Sequence, residues 1–318
     1  MRFDRLDLNL LVVFDRLMEY RSVTATARAL NLSQSALSGA LRRLREYFGD
    51  ELLVQIGRTM VPTHRAAELV VPVRNALMLV RSTITRPAEF DPGTSERRFT
   101  IIASDFVQLV LLGPLMRALA EGAPGVSFDI LSPSTLTFDL FERGEVDVFI
   151  TVDSYMSAAH PSRQLFQDEA VVVCWNRNSL IGDHLTEKLF YSIGHVATSF
   201  APLRRESFYE EALRNSGIER RIEVRVPEFS MAPNAVVGTN RVTVMHRRHA
   251  EYFASFMPLR LLAAPVPLPH VHEMAQWHGM QESDAGVQWL LARLTAQGAL
   301  QPALTTPRAS KRSKKKRR

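Results

Sequence analysis

The chain has 318 residues, room for about two domains at roughly 150 residues each. Charged residues make up 23% and apolar ones 46%, ordinary globular values that exclude wholesale disorder and a collagen-like or coiled-coil rod. The net charge of +6 hides a split: 308–318 hold eight basic residues and no acid, 1–65 carry ten arginines against seven acids, and 66–307 net −5. Strictly apolar runs such as Leu10–Phe14 and Ala170–Trp175 fall far short of the roughly 20 residues a membrane-spanning helix needs, so no membrane contact is expected. Arg2, Asp4, Arg5 and Asp7 at the start argue against a secretory signal. A single cysteine, Cys174, fits a reducing cytoplasm and a place in the core.

Residues 1–62 read as short helices followed by a hairpin. Leu6, Leu10, Val13 and Leu17 recur at helical spacing. Ser22 caps a second helix with Val23, Ala27 and Leu30 on one face. After the break Asn31-Leu32, Ser33 caps a third, whose inner face is Ala36, Leu37, Ala40, Leu41, Leu44 and Phe48, ending at Gly49-Asp50. Glu51–Ile56, the turn Gly57-Arg58-Thr59 and Met60–Pro62 form the hairpin. Thr63 then caps a long linker helix over 63–86, in which Ala66, Val70, Val73, Leu77, Val80 and Ile84 make a short heptad seam. Pro72 should kink it. The alternative is an amphipathic helix packed on its own domain.

Beyond the breaker cluster Arg86–Gly93, residues 97–300 alternate strand-like and helix-like runs. Phe99–Ala103, Val126–Leu131, Val146–Thr151, Ala170–Trp175, Gly194–Ala197, Ile222–Val226, Val242–Met245 and Val271–Trp277 read as strands. Phe106–Ala120, Leu136–Arg143, Arg204–Asn215 and Ala285–Ala296 read as helices. The rhythm predicts α/β architecture with mostly parallel sheets. The tail 301–318 reads as disordered and basic.

The common catalytic signatures are missing: neither G-x-G-x-x-G, P-loop, G-x-S-x-G nor H-E-x-x-H occurs. His246 with His249, and His270, His272, Glu273 and His278, do not make a persuasive zinc set. No metal and no cofactor is expected, and no catalytic residue is assigned.

The third helix carries the functional signal. Gln34, Ser35, Ser38 and Arg42 project away from its apolar stripe. Small hydroxyls permit close approach, Gln pairs bidentately with adenine and Arg with guanine in the major groove. Ser33, at the helix N-terminus, suits a phosphate, and Arg45 and Arg58 add charge beside it. A plain three-helix core with a solvated polar face is the bland alternative.

These residues resemble the winged helix-turn-helix head of LysR-type transcriptional regulators. The matching features are Leu8–Phe14, Ser22-x-Thr24-x-x-Ala27-x-x-Leu30, Leu32-Ser-Gln34, Ala36-Leu-Ser38, Leu41-x-x-Leu44, Phe48-x-Asp50 and Pro62-Thr63. Thr26, Ser35 and Gln55 depart from the usual pattern. Further stretches are similar to the nodulation-gene activators of rhizobia (NodD) and to salicylate-responsive regulators. They include Phe90-Asp-Pro-x-Thr-Ser-Glu-Arg97-x-Phe99, Ser157–Pro161, Arg221–Val224, Met257–Arg260, Pro265–Pro269 and Gln276-Trp277.

The resemblance implies a winged helix-turn-helix DNA-binding domain (1–62) plus linker helix (63–86), followed by two α/β subdomains of periplasmic-binding-protein-like architecture. These would be 97–168 with 270–300, and 169–268. It implies a DNA-binding regulator, not an enzyme, that responds to a small aromatic inducer. It also implies a homodimer through Val70, Val73, Leu77, Val80 and Ile84, usually a tetramer, with RNA polymerase as partner and an interrupted inverted repeat as operator. The inducer should lie between the subdomains. Ser104, Thr151 and Asp153 follow strands of the first, and Thr198, Phe200 and Phe229 follow strands of the second. Arg248 matches the position that holds the ligand's acid group in salicylate-responsive relatives. A flavonoid, a salicylate-like acid and a chlorinated phenol all fit this much. An inducer-independent nucleoid-type binder and an enzyme on a binding-protein-like fold are the competing classes.

Overall fold

The computed structural model describes residues 6–57, 59–80, 89–200, 205–217 and 219–300; the basic tail read at 301–318 lies outside them. The head begins with α1 (Leu8–Tyr20), α2 (Val23–Ala29) and α3 (Gln34–Phe48), each opened by a side-chain cap from Asp7, Ser22 and Ser33. Asn31, at φ +53, makes the left-handed turn between α2 and α3. Phe14, Leu17, Leu37, Leu44 and Leu52 are buried together beneath the three helices. Thr26 is buried as well, and its hydroxyl donates to the Arg16 carbonyl at 3.4 Å.

The hairpin β1 (Leu53–Ile56) and β2 (Thr59–Pro62) follows, then α4 (His64–Leu79), capped by Thr63. Helix α4 continues through Pro72. Ala66, Val73 and Leu77 are buried in the head's own core, and Arg74 Nε donates to Asp15 Oδ1 of α1 at 2.7 Å.

The first α/β lobe contains β3 (Arg98–Ile102), α5 (Asp105–Val107), α6 (Gly113–Leu119), β4 (Ser127–Leu131), α7 (Thr135–Glu142), β5 (Val148–Val152) and β6 (Ser162–Asp168). The second contains β7 (Ala170–Trp175), α8 (Glu187–Ser192), β8 (Gly194–Phe200), β9 (Arg205–Glu206), α9 (Phe208–Asn215), β10 (Arg221–Val226), α10 (Ala232–Val236), β11 (Val242–His246), α11 (Arg247–Ala254) and β12 (Leu259–Ala263). The chain then returns to the first lobe as β13 (Val271–Gln276) and α12 (Ala285–Ala299). Strand order is β4-β3-β5-β13-β6 in one sheet and β10-β8-β11-β7-β12 in the other, with β9 on the edge of β8.

The expectation of mostly parallel sheets needs correction, because both sheets are mixed. Strand β13 runs antiparallel to β5 and β6, and β7 runs antiparallel to β11 and β12. These are the strands next to the two inter-lobe passages, at Glu169 and 264–270. An antiparallel neighbour needs no crossover helix. Strands β6 and β12 escape a sequence reading because arginine and glutamine interrupt their apolar residues.

Two helices also differ from expectation. The run Phe106–Ala120 passes through a π-helical turn at Gln108–Leu112, where Pro114 has no N–H to offer Val110. Helix α9 starts at Phe208, because Arg205–Glu206 pair with the end of β8. Cys174 is buried among Val172, Phe190 and Val242, as a core residue.

Candidate functional site

The outer face of α3 is open. Ser33, Gln34, Ser35, Ser38 and Arg42 are exposed, while Leu37, Ala40, Leu41 and Leu44 are buried. Ser33 Oγ accepts the Ala36 N–H at 3.1 Å and lies 3.0 Å from Ser35 Oγ. Arg43, beside Arg42, is exposed too and was missed; the only signal was the Arg-Arg pair itself.

Arg45 is a different case. Its Nε donates to the Glu51 carbonyl at 2.8 Å and its Nη2 to the Leu53 carbonyl at 3.0 Å. It ties α3 to the base of the hairpin, so its donors are engaged within the chain. Asp50 completes that base, accepting the Leu52 N–H and the Thr63 hydroxyl, both at 2.6 Å. The Thr63 hydroxyl bond, with that of Leu52, holds the Asp50 carboxyl below the usual range. Leu52 itself sits at φ +58. Arg58, at the hairpin tip, lies outside the described residues.

Of the seam residues, Val73 and Leu77 are buried within the chain, Val70 and Val80 are half-buried, and Ile84 lies outside the described residues. The exposed apolar residues of α4 are instead Ala67, Val71, Pro72, Ala76 and Leu79.

Between the lobes lies a cavity of about 400 Å³. Ser104, Thr151, Phe200 and Phe229 line it; Asp153, Thr198 and Arg248 do not. Asp153 is exposed and its carboxylate accepts the Ser154 N–H at 2.7 Å. Thr198 is buried within β8. The guanidinium of Arg248 lies over the Phe166 ring at 4.5 Å and donates to the Gln167 carbonyl at 3.2 Å. It is therefore turned into the lobe junction and away from the cavity wall, where its Nε and Nη1 find no hydrogen-bond partner.

The remaining wall is Ser134, Thr135, Thr137, Phe138, Phe149, Tyr155, Phe208, His246 and Glu273, with aliphatic neighbours. The hydroxyl run after β4 was legible by the same strand-end rule that selected Ser104 and Thr151. Glu273, in mid-strand, had no such signal. His246 stacks on Phe106 at 4.1 Å with the rings 5° from parallel, and Phe229 sets its edge against it at 5.3 Å. Burial, then the neighbouring His249, pushes His246 down to about 3, so it is neutral. Burial, then Asp168 and Asp153, pushes Glu273 up to about 8, so it is protonated at neutral pH. Among the described residues, no lysine or arginine lines the cavity. The lobes are linked across it by Asp105, which accepts the Ser230 N–H at 2.6 Å, and by Tyr155, whose hydroxyl donates to Glu211 at 3.1 Å.

A winged helix-turn-helix head joined by a helix to a two-lobed α/β body with an inter-lobe cavity defines a DNA-binding regulator. The chain belongs to the lysR family: residues 8–67 match its bacterial regulatory helix-turn-helix domain and residues 92–299 its substrate binding domain. This is a family of regulators, not of enzymes.

Among curated proteins, the chain is 44% identical to Nodulation protein D 1 of Rhizobium tropici, covering 91% of this chain and 94% of that one. It is 41% identical to Nodulation protein D 1 of Rhizobium meliloti, with the same coverage. Among solved structures, a Pseudomonas aeruginosa protein described as a probable transcriptional regulator is 30% identical, with a TM-score of 0.61 over 92% of this chain and 97% of that one. Full-length OxyR of the same species shares the fold at 13% identity, with a TM-score of 0.68 over 93% and 95%. The two-lobed body is thus the periplasmic-binding-protein-like architecture implied by the sequence resemblance. Among the described residues, no helix is long and apolar enough to cross a membrane.

Proposed function

We propose that this chain is a transcriptional activator that responds to a small, uncharged aromatic inducer held between its lobes. The observation that carries the inducer reading is the cavity wall. Phenylalanines and hydroxyls surround a neutral histidine and a protonated glutamate, with no basic side chain among the described residues. Rings gain from burial against such a wall, whereas a carboxylate would lose its hydration without a counter-charge. This favours a phenolic ligand over the salicylate-like acids that the sequence alone left open.

The exposed polar face of α3 supports major-groove reading by Gln34, Ser35, Ser38 and Arg42. In this reading two copies associate through the linker helices, read an interrupted inverted repeat, pair further into a tetramer and act on RNA polymerase in the bacterial cytoplasm. The working division is head 1–62, linker 63–86, first lobe 97–168 with 270–300, and second lobe 169–268.

The test is operator binding by the full chain with and without a panel of phenols and aromatic acids, read by footprinting and calorimetry. A footprint changed by the phenols and not by the acids supports the reading. A footprint indifferent to every aromatic places the protein with inducer-independent binders.

A further inference from the structure

Two buried side chains on the cavity wall carry polar atoms that the fold leaves unpaired. Glu273, in β13 of the first lobe, is 3% exposed, and His246, at the end of β11 of the second, is 2% exposed. Glu273 Oε2 and His246 Nδ1 have no hydrogen-bond partner and are themselves closed to water, while other atoms of both residues line the cavity. Buried polar atoms are nearly always paired. Here two unpaired ones belong to residues of opposite lobes that line one aromatic-walled space. A third, the Tyr209 hydroxyl of α9, stands behind them, its ring 4.8 Å from that of His246.

We propose that Glu273 and His246 together form the hydroxyl-recognising end of the cavity, clasping one phenolic hydroxyl of an uncharged aromatic ligand between the two lobes. The proposal rests on the aromatic-inducer reading above and names the residues that select within that class. A carboxylic acid has an O–H to donate and a carbonyl to accept, and a neutral imidazole has one donor and one acceptor. A phenol has one donor and an accepting oxygen, so in this proposal a single hydroxyl satisfies one atom from each side once the carboxyl and the imidazole turn towards the cavity. The ligand's rings then lie along Phe229 and Phe200, whose centroids are 5.4 Å apart. Because one partner belongs to each lobe, the bound hydroxyl links the lobes directly.

The arrangement depends on both groups being uncharged. Facing Glu273 are Asp168 of β6 and Asp153 in the turn after β5, both of which oppose its ionisation. Tyr209 of α9 is held protonated by burial and by Asp168, Glu273 and Glu169, and His246 of β11 stays neutral. The Arg248 guanidinium is held at the lobe junction by Gln167 and Phe166. Ionised Glu273 would keep its acceptors but lose its donor, and would repel a phenolate.

The experiment titrates the full-length protein by calorimetry with three probes sharing one ring system: 2-naphthol, 2-methoxynaphthalene and 2-naphthoate. At about pH 6.5 the expected order is naphthol tightest, by about tenfold over the methyl ether, a difference of roughly one hydrogen bond, with the acid weakest. Glu273→Gln, which keeps a donor and an acceptor, retains that preference. Glu273→Leu and His246→Phe, the latter keeping the ring stack on Phe106, each reduce it to about twofold or less. Between pH 7 and about 9 the wild-type preference declines relative to Glu273→Gln, whose own profile reports ionisation of the probe. Operator binding and thermal melting establish that each variant is folded.

Equal binding of naphthol and its methyl ether by the wild type overturns the proposal, as does a preference surviving in both Glu273→Leu and His246→Phe. Binding by none of the three probes overturns the aromatic reading itself, and this proposal with it.

Discussion

The Met78 side chain of α4 lies directly over Gly144 in the first lobe, so close that a Cβ at 144 would overlap its sulfur. Around this seat, Arg16 of α1 pairs with Glu145 at 3.3 Å and Arg143 pairs with Glu19 at 3.3 Å. The head therefore rests on the residues immediately after α7. The other end of α7 contributes Thr135, Thr137 and Phe138 to the cavity wall. One short helix thus touches the inter-lobe cavity at its start and leads into the DNA-binding head's seat at its end.

Gly144→Ala should break that seat. It combines a φ of +67 with overlap against a packed side chain, and overpacking costs about 1–3 kcal/mol beyond the backbone strain. The head should become more easily released by limited proteolysis, and operator binding should respond less to inducer. Gly217→Ala is the control: its φ is +69 but nothing lies within 4 Å of the added methyl. Equal behaviour of the two variants would show that the seat contributes nothing.

Arg42 and Arg45 should separate by readout. Arg42→Ala leaves melting unchanged and loses about 1–3 kcal/mol on a specific operator if the side chain is bidentate to guanine. Arg45→Ala removes the bonds to Glu51 and Leu53, so it lowers melting as well as binding. If Arg45→Ala melts like wild type yet loses operator affinity, Arg45 contacts DNA directly.

On α4, the seam read from the sequence and the exposed face make different predictions. Leu77 is buried against α1, so Leu77→Asp should unfold the head, at about 3 kcal/mol or more for an unpaired buried charge. Val71 is 63% exposed in the single chain. Val71→Asp should leave the head folded and shift sedimentation from dimer to monomer. A Val71→Asp dimer as strong as wild type would place the subunit contact elsewhere.

The buried acid makes stability depend on pH in a defined direction. Glu273 titrates at about 8 when folded against an ordinary 4.5, so between those values the folded state holds the extra proton. Its contribution is complete below about 4.5 and is lost as pH rises to about 8. His246 and His249, pushed by burial from 6.5 to about 3 and about 4, act at the other end. The unfolded chain takes up their protons first, so stability falls as pH drops below 6.5. Urea titrations should show Glu273→Gln gaining on wild type steadily from about pH 5 to about 8. A difference that stays constant across that window would mean Glu273 is ionised when folded.

Much of this was readable because it is local. Caps, helical periodicity and the polar stripe Gln34, Ser35, Ser38 and Arg42 depend on residues a few positions apart, and the helix-turn-helix follows from them. Strand ends carry the hydroxyls of Ser104 and Thr151 to the cavity by the general rule for α/β sheets. The tertiary structure decided what depends on direction and on distant partners. Arg45 and Arg248 both look available in the sequence, but Arg45 is occupied by Glu51 and Leu53, and Arg248 is turned from the cavity onto Gln167 and Phe166. Val73 and Leu77 have the spacing of an intermolecular seam, yet the same apolar stripe is satisfied by α1 of its own chain. Glu273 and His246 are 27 positions apart, on strands of different sheets, and line one cavity only because the chain crosses back between lobes at 264–270. Sequence spacing specifies which side of an element a residue occupies; what stands opposite that side is set by packing between elements, and packing decides burial, charge state and ligand.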